Sequence, residues 1–356
     1  MYFPEWFDGI MTFLLYGLLF IVMPYNKIPK IPTAVPIVIG ILAVIFLGFA
    51  PAIEMVGTDR PNYAYMFSHA DEYLKYGYRD VGFTYYLKLC DILTNSTTGG
   101  FVISACIYVF ANFYFLRKSS PDGYVLMALL CFLSLGFTNH YYNVLRSGLC
   151  ISFLLIALSK DQSKVKSIIF SILAVSFHSS GLLVIVGYLV THIFKKTKFL
   201  YLFWSIMLVA LLFGIFDSFA QYVELFSSME EERFNRYLSG NDRDYNTSLR
   251  LDFITYSLFP IVVGWYYIFK RNYKDEYYIH IYNTYLFCNA CWLIFSKMPS
   301  NDRIAYLSWV FIPFLLLYPI LNSTQNTRIV IRNKKILMFV LISVIVGVNL
   351  FIKYIR

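Results

Sequence analysis

The stretch Ser167 to Val190, SIIFSILAVSFHSSGLLVIVGYLV, is apolar except near its middle, where His178, Ser179 and Ser180 interrupt it. Polar side chains in hydrocarbon are costly unless hydrogen-bonded or facing water, so an imidazole held there is available for hydrogen-bond or proton chemistry. Three arginines, Arg146, Arg250 and Arg303, stand where apolar runs begin. A cation at a helix N-terminus opposes the macrodipole by a few tenths to about 1 kcal/mol. An anion reverses the sign, because N–H groups and guanidinium forks together bind phosphate. The ordinary alternative is an ion pair or a lipid headgroup, as for Arg303 with Asp302 or Arg250 with Asp252. Asp59, in GTDRPNYAY, directly precedes a predicted helix and suits either an N-cap or a proton acceptor.

The elements that position these residues follow from composition. The chain has 356 residues, 58% hydrophobic and only 14% charged, which indicates an integral membrane protein. Apolar runs lie at 9–24, 34–53, 99–116, 123–138, 142–159, 198–217, 249–269, 277–296, 303–321 and 336–354. The run 165–194 is too long for one crossing and splits at His178. The expectation is an all-α, polytopic membrane domain over 1–356, with about twelve transmembrane helices including a broken pair around His178. No strand periodicity supports a barrel. Acidic Glu5 and Asp8 precede the first apolar run where a signal peptide would be basic, so that helix is expected to stay. The six cysteines, Cys288 and Cys291 among them, have no partnering histidines or second pair and are expected to be packing residues.

The net charge of +9 divides by loop. Alternate loops carry 17 cations and four acids, the other loops and the ends 13 cations and 17 acids. By the positive-inside rule the first set is cytoplasmic and both termini face outward, so the basic excess sets topology and implies no nucleic-acid partner. The outward side includes two long segments, 54–98 and 218–248. Tyr63, Phe67, Ala70 and Leu74, then Phe83, Tyr86 and Leu87, give the first a helical apolar face. Phe219, Tyr222, Phe226 and Met229 do so in the second. Both are expected as amphipathic interfacial helices on the outer face, and much of the tyrosine as interface belt. His178 lies twelve residues from cytoplasmic Lys166, about 18 Å along a helix against a core of about 30 Å. The break is therefore expected to line an outward-open cavity.

The motifs GTDRPNY, DVGFTYYL, NVLRSGLCISFLLIAL, SFHSSGLLV and NDRIAYLSWVFIP, in that order, resemble the EpsG-like branch of Wzy-type polysaccharide polymerases. The chain departs from the family pattern at Arg146-Ser147, usually Arg-Gln, and at Asp80-Val81, commonly Glu-Pro. The resemblance implies a glycosyltransferase at the outer face of the bacterial inner membrane, joining oligosaccharide repeat units carried on undecaprenyl pyrophosphate. It implies His178 and Asp59 as catalytic candidates and Arg146, Arg303, Arg250, Arg60, Asp80 and Tyr63 as substrate-binding ones. Membrane lipids and a chain-length regulator protein are the further partners it allows. His178 is the favoured base, since a buried imidazole is neutral near pH 7. The expected reaction needs no metal or cofactor, since arginines can stabilise the leaving group without one. Three rival classes stay open: a flippase or other transporter, an O-antigen ligase, and a membrane acyltransferase. The absence of an internal repeat weighs against the transporter.

Overall fold

The computed structural model describes residues 3–22, 31–50, 59–76, 80–216, 249–297, 302–322 and 334–354, all helix, turn or loop. In chain order the helices are α1 (Phe3–Val22), α2 (Ala34–Gly48), α3 (Arg60–Ser68), α4 (Ala70–Tyr76), α5 (Val81–Thr94) and α6 (Thr97–Ser119). Then come α7 (Tyr124–Phe132), α8 (Leu135–Tyr142), α9 (Leu145–Ala157), α10 (Lys164–Phe177), α11 (Gly181–Ile193) and α12 (Thr197–Leu212). The last five are α13 (Leu251–Trp265, continued by a π turn, Tyr266–Lys270), α14 (Glu276–Ile294), α15 (Asp302–Trp309), α16 (Ile312–Leu321) and α17 (Lys334–Tyr354).

Among the described residues, four helical stretches are long and apolar enough to cross a membrane: Thr97–Ser119, Leu251–Lys270, Asp302–Leu321 and Lys334–Ile352. The pair α7 and α8, bent by 64°, makes a fifth if counted as one span. Twelve full-length crossings are therefore not what the helix lengths establish. The physical reason is at the site end of the bundle. Helices α9 and α11 have 13 residues each and α10 has 14, about 20 Å at 1.5 Å per residue, some 10 Å short of a hydrocarbon core. The break expected at His178 is present, with α10 ending at Phe177 and α11 starting at Gly181. A second break separates α7 from α8, so the apolar run 123–138 is not one straight element.

Helices α7 and α16 form the centre, with every residue from Val125 to Phe132 and from Ile312 to Ile320 buried. Helix α9 packs on α6, α8, α10 and α11, and so carries its N-terminal residues into the middle of the assembly. The segment expected at the interface, 54–98, is helical where described. Its apolar face, with Tyr63, Phe67, Phe83, Tyr86 and Leu87, is turned inward onto the bundle, where Phe83 and Tyr86 meet Phe177 of α10. Helix α5 is apolar on its other side too, exposing Tyr85, Leu89, Ile92 and Leu93. The second expected segment, 218–248, lies outside the described residues.

Many tyrosines lie in the core instead of in a belt. Pro319 inside α16 cannot donate to the carbonyl four residues earlier, Leu315, and the Tyr278 hydroxyl donates to it at 3.0 Å. Tyr267 donates to Leu316 O at 3.0 Å and Tyr285 to Ser257 O, near Pro260 of α13, at 2.7 Å. Buried carbonyls without water need such partners, and a phenol supplies one while filling apolar volume. Asn289 similarly joins four helices, accepting from Trp204 at 2.8 Å and donating to Ser257 and Ser308 at 3.0 and 3.2 Å. All six cysteines are free thiols, four of them buried.

Candidate functional site

The site is assembled at the break. His178 caps α10 with an extended backbone, φ −163° and ψ 127°. Its Nδ1 accepts the Ser180 N–H at 3.1 Å, one of the N–H groups that the start of α11 leaves without an intrahelical partner. That bond places the proton of a neutral ring on Nε2. Gly181 lets α11 approach α9 closely, since a Cβ there would sit 2.5 Å from Cys150 Sγ. The Cys150 thiol in turn donates to His178 O at 3.5 Å. The break is thereby fixed one helical turn along α9 from Arg146.

Each of the three arginines has a carboxylate partner. Arg146, at the second position of α9, forms an ion pair with Asp80, which precedes α5 and lies 66 residues away. The pair is well shielded, its side chains 20% and 7% exposed. Arg303, at the second position of α15, reaches Asp59 Oδ2 at 2.9 Å, across 244 residues. Asp59 makes no N-cap hydrogen bond, so that alternative role is not taken here. Arg250 forms a fork with Asp252, Nε to Oδ1 at 3.0 Å and Nη2 to Oδ2 at 2.8 Å, and stacks 3.8 Å over Phe253. Asp302 is no partner of Arg303 but accepts the Tyr306 hydroxyl at 2.8 Å.

Two tyrosines join these pairs. Tyr63, 6% exposed, lies within hydrogen-bonding reach of Arg146 and within electrostatic range of Asp59 and Arg303. Tyr306, 5% exposed, is in range of Arg250 and Arg303. Asp59, Tyr63, Asp80, Arg146, Arg250 and Arg303 therefore share one region of the structure, and His178 joins them through α9.

Arg60 is placed differently. It is fully buried, donates from Nε to Ala50 O at 3.1 Å and from Nη2 to Leu47 O and Gly48 O at 3.0 Å each, and stacks 3.8 Å over Phe101. A guanidinium on the last carbonyls of α2 closes a helix end that water cannot reach. In this structure it anchors α3 to α2 and α6, which holds the neighbouring Asp59 in place.

The sequence reading missed His140 and Tyr306. His140 lies in the last turn of α8, is fully buried, meets Tyr306 edge-on at 5.4 Å between centroids, and lies in electrostatic range of His178. A signal existed in TNHYYNVLR, where a histidine stands among Thr138, Asn139 and Asn143 six residues before Arg146 and between two apolar runs. Among the described residues no three His, Cys, Asp or Glu side chains come together in a way that could hold a metal ion. The arrangement presents guanidinium forks at helix N-termini, carboxylates beside them, and an imidazole N–H, a set suited to an anion and a hydroxyl-bearing partner.

A family model described as the EpsG family matches residues 37–355, almost the whole chain. No curated protein and no solved structure matches. The chain belongs to the EpsG family, whose members are multi-pass membrane proteins of polysaccharide biosynthesis.

Proposed function

We propose, with membership of the EpsG family as the premise, that the protein is a membrane glycosyltransferase joining oligosaccharide repeat units carried on undecaprenyl pyrophosphate, at the outer face of the bacterial inner membrane. The observation that carries this reading is the pair of long-range ion pairs, Arg146 with Asp80 and Arg303 with Asp59, beside the broken helix at His178. In the reaction an acceptor hydroxyl attacks the anomeric carbon of the donor. The C–O bond to pyrophosphate breaks, the lipid pyrophosphate leaves with the bonding electrons, and the hydroxyl proton goes to a base. Arginine forks stabilise the charge that develops on the leaving group.

The choice of base shifts from the sequence argument. A neutral His178 whose Nδ1 accepts the Ser180 N–H carries its proton on Nε2, so it enters as a hydrogen-bond donor to a sugar or phosphate oxygen. Asp59 is the acceptor that remains. Pyrophosphate arriving at Arg303 takes the guanidinium from Asp59, and the released carboxylate accepts the hydroxyl proton. Arg146 holds the other side of the pyrophosphate, with Asp80 and Tyr63 orienting it, and Arg250 stays largely committed to Asp252.

The test is the glycan profile of a deletion strain. A polymer ladder collapsing to a single repeat unit is the expected result. Complete loss with lipid-linked units stalled at the inner leaflet identifies a flippase. Unchanged length with missing acyl groups identifies an acyltransferase, and an intact free polymer no longer transferred to lipid A core identifies a ligase.

A further inference from the structure

The far end of α11 borders a cavity that the proposed chemistry does not use. It has a volume of about 410 Å³ and lies between the end of α11 and the first turns of α14, with His192 and Lys195 on one side and Glu276, Tyr277, His280 and Asn283 on the other. Helix α11 has 13 residues and starts at the break, so the cavity is about 20 Å from His178. The loop cations put it at the end of the bundle expected in the cytoplasm.

The two walls follow from spacing. Glu276, His280 and Asn283 stand four and three residues apart on α14, which places them on one face. His192 is in the last turn of α11, and Lys195 follows in the loop before α12. The walls are tied together by His280, whose Nε2 donates to Tyr188 O at 2.9 Å, and by Asn283, whose Nδ2 donates to Lys195 O at 3.5 Å. The His280 ring also stacks on Tyr188 at 4.0 Å and lies 5.4 Å from that of His192. These contacts fix the shape of the cavity without using its charges. Lys195 and Glu276 are both exposed on opposite walls, and among the described residues neither enters an ion pair. A simple anion is drawn by Lys195 and repelled by Glu276, and a simple cation the reverse. A ligand carrying both charges satisfies both walls.

The surface of α11 indicates where such a ligand comes from. Leu182, Val186, Leu189 and Ile193 recur at helical spacing and are all exposed. They form an apolar stripe roughly 16 Å long that ends next to His192. On a membrane protein such a stripe faces acyl chains, and a lipid lying along it brings its headgroup to the level of the cavity.

We infer that this cavity holds the headgroup of a zwitterionic aminophospholipid, with the phosphate at Lys195 and His192, the ammonium at Glu276, and the acyl chains along α11. The site is independent of the polymerase reading, and it ties the end of α11 to α14 through a lipid of the leaflet opposite the arginine pairs.

The experiment uses full-length protein freed of lipid in detergent. Native mass spectrometry reads the lipid retained at matched concentrations of phosphatidylethanolamine and phosphatidylglycerol, with free phosphoethanolamine as competitor. Wild type should hold phosphatidylethanolamine about threefold more tightly than phosphatidylglycerol, the scale of one solvent-screened charge contact. Lys195→Ala should weaken both lipids, Glu276→Gln should remove the preference, and Glu276→Lys should turn it toward phosphatidylglycerol. Free phosphoethanolamine at the same concentration should displace neither lipid, because it has no acyl chains to lie on α11. Equal or tighter retention of phosphatidylglycerol by wild type overturns the inference, and so does a preference that survives both Glu276 variants. Displacement by free phosphoethanolamine overturns the lipid assignment and makes the occupant a soluble phosphate ester. Both substituted side chains are exposed, and comparing two lipids on the same folded protein makes each variant its own control.

Discussion

Replacing Arg303 by lysine separates a structural role from a role in binding the leaving group. The Arg303–Asp59 pair spans 2.9 Å with its side chains 44% and 34% exposed. Solvent screens an ion pair that open, and its contribution to stability is about 0.2–1 kcal/mol. Lysine keeps the charge, so the folded protein should lose less than that and melt within a few degrees of wild type. The effect on pyrophosphate is larger. A guanidinium presents two parallel N–H donors, an ammonium a single point charge, so the substitution removes about one charge-assisted hydrogen bond of about 1.5–3 kcal/mol. At about 1.4 kcal/mol per tenfold, kcat/KM should fall roughly 10- to 150-fold. The assay is elongation of purified lipid-linked repeat units by folded protein at matched concentration, with melting followed in parallel. A lysine variant within about twofold of wild type refutes the reasoning and makes Arg303 a headgroup anchor.

Two further substitutions address the other assignments. Asp59→Asn should lower kcat by about 10² to 10⁴, the usual loss on removing a general base, while KM for the donor stays equal or falls because Arg303 is no longer shared. His178→Gln, which keeps a donor, should retain most of the rate, and the opposite ranking of these two variants in the same elongation assay returns the base to His178. Arg60→Met should lower stability and folded yield, because each of the guanidinium's three carbonyl acceptors left unpaired costs about 1–3 kcal/mol. The protein that does fold should turn over at near wild-type kcat, and a selective loss of kcat in well-folded Arg60→Met protein places Arg60 in the substrate site instead.

The features legible in the sequence were those written locally. His178 and two serines followed by Gly181 inside an apolar run mark a break wherever the run ends up, because hydrocarbon tolerates such residues only at one. The inward face of 59–94 was legible from its 3.6-residue period, although periodicity says only that a face is buried and not whether lipid or protein buries it. Arg146 pairing with Asp80 across 66 residues, and Arg303 with Asp59 across 244, were not legible. Asp302 is adjacent to Arg303 and Asp59 far from it, yet tertiary packing chooses the distant partner and gives Asp302 to Tyr306. Arg60 is expected in the substrate site, and only the arrival of carbonyls at the end of α2, which no local pattern signals, makes it a core residue. The bend between α7 and α8 was not read from the sequence, although Ser134 and Gly136 stand at it.

The charge of the site explains why its arginines are paired at rest and which pair must open. Arg146, Arg250 and Arg303 face Asp59, Asp80, Asp252 and Asp302, one more carboxylate than guanidinium. Unpaired arginines at helix N-termini would be unfavourable in a region this shielded, so the carboxylates stabilise the empty site. A pyrophosphate brings at least two negative charges and cannot simply be added to that set. A carboxylate has to give way, by moving or by taking a proton. Asp80 is held in a shielded pair and Asp252 in a two-bond fork, whereas Asp59 is held by a single bond at the most solvent-exposed pair. Opening that pair costs least, since water already screens it. The same exchange that docks the leaving group therefore frees the carboxylate that takes the acceptor's proton, and the base is released only when a donor is in place.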